Sequence, residues 1–184
     1  MLELNNVRQH ALRMLVVAGL AVTASLVSVP SARAEIAIAA DFEALAPLEL
    51  EDVEAAPGFG IRLGWELHIP LFELTPEIGY KWASFKGGAA LNRGIIGARL
   101  GIGEIFRFGA TAHIGFATRD EEYQGVEFSN TGFTLDAGLF FDITLIPLLN
   151  IGVHIDYGRT AGDASQALEV LQWVTFGLHA ALIL

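Results

Sequence analysis

The chain has 184 residues, no cysteine, 53% hydrophobic residues, and 21 acidic against 11 basic side chains, a formal charge of −10. That length suits one domain. The lack of cysteine excludes a disulfide-stapled secreted module, and the acidity argues against nucleic acid as a partner.

The N-terminus accounts for part of the apolar excess. Arg8 and Arg13 precede the run "MLVVAGLAVTASLVSV" at 14–29, and Pro30 with "SARA" at 31–34 follows. A basic start, a short apolar run and the small pair Ala32-x-Ala34 predict a secretory signal peptide over 1–34, cut between Ala34 and Glu35. The run falls short of the roughly 20 residues a spanning helix needs, so an uncleaved anchor is the weaker reading. Residues 35–184 then carry 20 acids and 8 bases, a formal −12. They contain no apolar stretch long enough for a transmembrane helix, so a membrane span would have to be a closed barrel.

From there the chain alternates with a period of two, which predicts strands with two unlike faces. The first, 36–44, sets Ile36, Ile38, Ala40 and Phe42 against Asp41 and Glu43. Strand 58–69 sets Phe59, Ile61, Leu63, Trp65, Leu67 and Ile69 against Gly58, Gly60, Arg62, Gly64, Glu66 and His68. In 72–82, Phe72, Leu74, Ile78, Tyr80 and Trp82 oppose Glu73, Thr75, Glu77, Gly79 and Lys81. In 90–102, Ile96, Leu100 and Ile102 oppose Arg93, Gly97 and Arg99. In 106–118, Phe106, Phe108, Ile114 and Phe116 oppose Arg107, Gly109, Thr111 and His113. Strand 133–145 sets Phe133, Leu135, Leu139 and Phe141 against Thr134, Asp136, Phe140 and Asp142. Strand 149–157 sets Ile151, Val153, Ile155 and Tyr157 against Asn150, His154 and Asp156. The last, from Val174, sets Phe176, Leu178, Leu182 and Leu184 against Thr175, Gly177 and His179. These are eight strands, each long enough for the roughly 9–11 residues of a tilted crossing.

The connections alternate in kind. Tight turns are expected at 69–71, 103–105 and 146–148, and longer linkers at 45–57, 83–89, 119–131 and 158–170, three of them acidic. Short turns on one side and long loops on the other match an outer-membrane barrel with both termini in the periplasm. The segments "IPLFELTPEIGY", "IFRFGATAHIGF" and "IPLLNIGVHIDY" align without gaps, as in a meander of hairpins. Pro76 removes a ladder hydrogen bond in a fold with no edge, which predicts a bulge or local strain.

Which face is inside decides the class. The polar set is mostly small residues with charges of both signs, which suits an interior just wide enough for side chains. An inward network is therefore expected from Asp41, Glu43, Arg62, Glu66, Glu77, Lys81, Arg93, Arg99, Arg107, Asp136, Asp142 and Asp156. Outward aromatics gather near strand ends, Phe72, Phe106 and Phe108 by the turns and Tyr80, Trp82, Phe116, Phe133 and Tyr157 by the loops, as two interfacial girdles would. A soluble lipocalin-like barrel with the bulky face as its core is the alternative. It would need a polar exterior, and the chain has only Lys81 and Lys86 as lysines.

This pattern resembles the small eight-stranded outer-membrane β-barrel proteins of the OmpA-transmembrane, OmpX and OmpW type, over all of 35–184. The ending "TFGLHAALIL" keeps the apolar alternation of that class. It departs from it by finishing on Leu184, where an aromatic residue usually stands for the barrel-assembly machinery to read. The resemblance implies an all-β, eight-stranded antiparallel up-and-down transmembrane barrel, exported through the Sec pathway to the outer membrane. Its implied partners are outer-membrane lipid and lipopolysaccharide, plus the assembly machinery and periplasmic chaperones during biogenesis, and it is expected to be a monomer.

Chemistry-bearing residues are sparse. His68, His113, His154 and His179 all fall on the lumen face, but His113 and His154, which share a place in the repeat, sit on strands that are not neighbours. No metal site and no cofactor follow from that spacing. Ser84, Ser129 and Ser165 lie at or beyond strand ends, away from any histidine a nucleophile needs. The acidic stretches "ELEDVE" and "RDEEYQGVE" lack the oxygen spacing of a calcium loop. The expected role is non-enzymatic, structural or surface-interacting, through acidic outer loops. Narrow passage of small solutes is the first alternative and a lipid A-modifying enzyme the second.

Overall fold

A computed structural model describes residues 34–48, 54–86, 88–123, 126–161 and 171–184. Eight strands fill almost all of this: β1 (Ala34–Pro47), β2 (Ala56–Ile69), β3 (Phe72–Ser84), β4 (Ala90–Ile102), β5 (Phe106–Tyr123), β6 (Val126–Ile146), β7 (Leu149–Ala161) and β8 (Gln172–Ile183). Each pairs antiparallel with the next, and β1 pairs with β8, so the sheet is a closed barrel. Closure runs to the chain end, where Ile36 and Leu184 exchange backbone hydrogen bonds of 3.0 and 2.8 Å. No edge is left exposed, as a sheet surrounded by hydrocarbon requires.

The alternation fixes the two surfaces. Asp41 and Glu43 are 1% exposed, while Phe42 between them is 64% exposed. Ile61, Ile96, Phe116, Leu139, Leu178 and their neighbours in the pleat point outward in the same way. In water such an exterior would be an unfavourable apolar patch around the whole molecule. In hydrocarbon it is what the backbone-satisfied wall of a barrel needs.

The turn ends match the sequence reading: Pro70–Leu71, Gly103–Ile105 and Pro147–Leu148 close three tight connections. Gly103 adopts φ +107°, a left-handed conformation that a side chain would strain. Three details differ. The linker expected at 119–131 is a continued hairpin, with Arg119 opposite Asn130 and Tyr123 opposite Val126. Beyond the outward Phe116–Phe133 pair, seven more residue pairs carry this hairpin roughly 24 Å farther. Thr118, Arg119, Asp120, Ser129, Asn130 and Thr131 are polar there because, past the apolar band, the backbone ladder no longer needs a greasy face. Pro76 causes no bulge: it pairs with Ala98, and β2–β3 keeps its register on both sides. The register shift lies instead between Thr144 and Ile146 of β6, beside the last tight turn. The expected signal segment lies outside the described residues except for Ala34, the first residue of β1.

Candidate functional site

The lumen is the chemically rich part of the molecule. All twelve charged residues expected in the inward network, Asp41, Glu43, Arg62, Glu66, Glu77, Lys81, Arg93, Arg99, Arg107, Asp136, Asp142 and Asp156, are buried there. They sort into layers along the barrel. At the turn end, Arg107 reaches Glu73 at 2.6 Å and Glu66 at 3.3 Å, and His68, half exposed at the rim, stands 3.4 Å from Glu73. In the middle, Arg62 holds both oxygens of Asp41 at 2.7 and 2.8 Å and Glu77 at 2.7 Å. His113 Nε2 meets the other Glu77 oxygen at 2.7 Å. Arg99 donates to Asp142 at 3.1 Å and lies over the Phe140 ring at 4.0 Å. Toward the loops, Lys81 donates to Glu43 at 3.0 Å and faces Asp156 at 3.6 Å, and Thr111 donates to Asp156 at 2.8 Å. Arg93 closes the series on Glu43, with Asp136 at 3.8 Å and the Trp173 ring at 5.4 Å.

Every such cation therefore meets a carboxylate on another strand, which is the condition for burying charge without a large penalty. Above Arg93 the filling changes character. Leu45, Ala56, Ala83, Leu91, Ala117 and Trp173, none more than 2% exposed, form an apolar stopper at the loop end, with Phe85 and Leu171 against it. Alternation from Thr175 and Gly177 already turned Trp173 inward, but a tryptophan in a polar-faced lumen was not foreseen. Glu73 is likewise a network member that the list of inward charges omitted.

Two cavities inside the lumen are small, about 20 Å³ near Arg62, Glu73 and Arg107, and about 10 Å³ near Asp41, His154 and His179. Each holds on the order of one water. A larger hollow of about 490 Å³ opens at the turn end beside Glu66, His68 and Arg107 and stops there.

The histidines depart from the sequence reading. His113 and His154 are indeed apart, but His154 and His179 lie on adjacent strands and their Nδ1 atoms are 3.2 Å from each other. His179 is 3% and His154 8% exposed. Two glycines make room for them. A Cβ on Gly177 would stand 2.3 Å from the His154 ring, and one on Gly152 would stand 2.2 Å from Asp142 Oδ1 and 2.8 Å from His179 Cε1. The serines sit elsewhere. Ser129, opposite Asp120, is seven residues along β6 from Asp136, the partner of His113, or roughly 23 Å. Ser84 is seven residues along β3 from Glu77, the residue His113 binds, and Ser165 lies outside the described residues.

On the outer wall, Phe72, Tyr80, Trp82, Phe106, Phe108, Phe116, Phe133 and Tyr157 all project away from the lumen. Phe116 and Phe133 meet edge to face at 6.0 Å, and the Phe108 and Phe141 rings lie tilted against each other at 4.6 Å. Tyr80 and Tyr157 hydrogen-bond outward polar neighbours, Asn92 and Gln172, each at 2.5 Å. Of the acidic linker residues, Glu54 pairs with Lys86 across two loops, both highly exposed. Glu49, Glu51, Asp52, Asp163 and Glu169, and the side chains of 121–128, lie outside the described residues.

No family model and no curated protein matches this sequence. Solved structures share its fold. Neisserial surface protein A has a TM-score of 0.60 at 10% identity, over 83% of this chain and 98% of that one. Ail, the attachment invasion locus protein of Yersinia pestis, has 0.56 at 12%, over 82% and 97%. The outer membrane enzyme PagL has 0.53 at 14%, over 79% and 98%. At such identities the likeness is one of architecture, and the architecture of this chain is that of the small eight-stranded outer-membrane β-barrels.

Proposed function

We propose that this chain is an integral outer-membrane barrel that neither conducts solutes nor catalyses a reaction, and that it serves a structural or surface-interaction role. The observation that carries this reading is the filled lumen. Interlocked ion pairs occupy its middle, the Trp173 cluster stops its loop end, and two cavities between them are no larger than about one water each. Outer-membrane lipid and lipopolysaccharide are the natural contacts of the apolar wall. The extended β5–β6 hairpin is the element best placed to present a binding surface away from the membrane. The separation of Ser84 and Ser129 from the buried histidines supports a non-enzymatic role. Export through the Sec pathway, followed by chaperone-assisted insertion by the barrel-assembly machinery, is the route this reading requires.

Planar-bilayer recording of the refolded chain tests it. No discrete conductance steps are expected from wild type, whereas regular single-channel steps would overturn the plugged-barrel reading in favour of solute passage. Incubation with lipid A followed by mass spectrometry tests the catalytic alternative. An unchanged lipid spectrum is expected, and loss or gain of an acyl chain would overturn the non-enzymatic role.

A further inference from the structure

We infer that Asp41, His154 and His179 form a buried site for one Zn²⁺-like transition-metal ion inside the closed barrel. One ligand atom from each residue, two imidazole nitrogens and a carboxylate oxygen, lies within 4.8 Å of the other two. The three residues come from β1, β7 and β8, where the barrel closes: Asp41 is the register partner of His179, and His179 in turn of Gly152.

Four observations converge on an ion here. First, the Nδ1 atoms of His154 and His179 face each other at 3.2 Å. Nitrogen ligands bound about 2.0–2.1 Å from a tetrahedral ion stand ~3.3–3.4 Å apart, so the pair already has the spacing of two corners of such a site. Second, both imidazoles turn their far nitrogen to carboxylates. His179 Nε2 meets Asp142 at 2.7 Å, and His154 Nε2 lies 3.7 Å from Asp156 and 3.8 Å from Glu43. The Asp142 carboxylate behind the His179 ring favours the tautomer that leaves its Nδ1 bare, as metal-bound histidines are normally oriented, while, among the described residues, His154 Nε2 is buried without a hydrogen-bond partner. Third, the donors converge on the cavity of about 10 Å³, enough for an ion or a single water. Fourth, among the described residues the lumen buries eight carboxylates and five Lys or Arg side chains, so negative charge is in excess. Of the cations beside the cluster, Lys81 is paired with Glu43 and Arg99 with Asp142, while Arg62 joins Asp41 itself to Glu77. Arg62 takes one lone pair on each Asp41 oxygen and leaves the others for a metal.

Two imidazoles with one carboxylate form a donor set for Zn²⁺ and its transition-metal neighbours, not for Mg²⁺ or Ca²⁺, which prefer oxygen throughout. An ion there ties β1 to β7 and β8 across the seam where the last strand meets the first. Because the lumen is stopped at its loop end and packed below, the ion enters while the barrel folds and exchanges slowly afterwards.

The test is metal content of the untagged chain, refolded in detergent with excess Zn²⁺, treated with EDTA and desalted. One Zn²⁺ per barrel is expected for wild type and for His68→Gln, whose ring lies at the rim. At least a tenfold loss is expected for His154→Gln and for His179→Gln, with folding of each checked by heat-modifiable gel migration. A wild-type barrel without zinc, or a folded His154→Gln barrel with as much zinc as wild type, would overturn the site. Should neither histidine variant fold, wild type refolded with Co²⁺ decides it. The intense visible absorption of tetrahedral Co²⁺ supports the site, and the spectrum of free aqueous Co²⁺ overturns it.

Discussion

Replacing Arg62 by methionine removes the side chain that joins three strands in the middle of the lumen. The guanidinium makes three short contacts, 2.7 and 2.8 Å to the two oxygens of Asp41 and 2.7 Å to Glu77, and it is 7% exposed. Each charge-assisted hydrogen bond contributes about 1.5–3 kcal/mol, but the three do not add in full, because much of the loss is the penalty of leaving carboxylates unpaired. Glu77 keeps His113 at 2.7 Å, so the orphaned group is chiefly Asp41. A cost of about 3–5 kcal/mol follows, as for other buried pairs broken on one side. The same reasoning predicts that Asp41→Asn, added to Arg62→Met, recovers part of the loss by removing the stranded charge. Urea unfolding in lipid vesicles, followed by tryptophan fluorescence, measures both. Lys86→Met is the control: its pair with Glu54 is exposed on both sides and is worth under about 1 kcal/mol. If Arg62→Met costs no more than Lys86→Met, or if the double variant is less stable than Arg62→Met alone, the lumen is not held by paired charge.

Two further outcomes check the two surfaces. Leu139 projects outward, 62% exposed, between Ala110 and Ile155 in mid-strand, so Leu139→Arg should cost ~2–4 kcal/mol in the same titration; no loss would mean that this face does not meet hydrocarbon. Trp173 is fully buried in the loop-end stopper beside Arg93, so Trp173→Ala should cost about 3–5 kcal/mol through the cavity it leaves. A loss under about 1 kcal/mol, read by circular dichroism since a fluorophore is removed, would show that the stopper is not packed.

Period-two alternation made the strands legible, because in a closed barrel every inward residue sees the lumen and every outward residue sees the wall. Asp41 beside Phe42, or Arg62 beside Ile61, states its face without help from any neighbour. The same signal fails where the two sides stop differing. Beyond Phe116 the chain reads "ATRDEEY", polar on both faces, and nothing in it distinguishes a loop from the projecting hairpin that the ladder Ala117–Tyr123 against Val126–Gly132 forms. Partnerships inside the lumen were harder still. The internal repeat placed His113 and His154 at one depth, yet contact depends on register between adjacent strands. It is the β7–β8 register, Gly152 opposite His179 and His154 opposite Gly177, that brings two histidines together on a diagonal. Loop chemistry gave less, since acidic residues at 49–54 and 119–127 look alike whether solvated or binding.

The wall and the lumen divide the work of specifying this fold. A strand slipped by one residue would turn its charges to the lipid, so the wall forbids that error strongly. A slip by two preserves every inward and outward assignment, and an exterior of interchangeable leucine, isoleucine and phenylalanine discriminates poorly between the two registers. The lumen does discriminate. Slipped by two, His154 would face Thr175 or His179 in place of Gly177, the position where any Cβ would stand 2.3 Å from its ring in the native register. Slipped by two along β1, Asp41 would leave Gly60 and face Gly58 or Arg62, and the two-oxygen grip that Arg62 makes from its present position would be lost. Buried ion pairs add little net stability over a well-packed apolar filling of the same volume. Their place in this barrel is explained by register: the apolar wall holds the chain in hydrocarbon, and the charged lumen sets which residue stands opposite which.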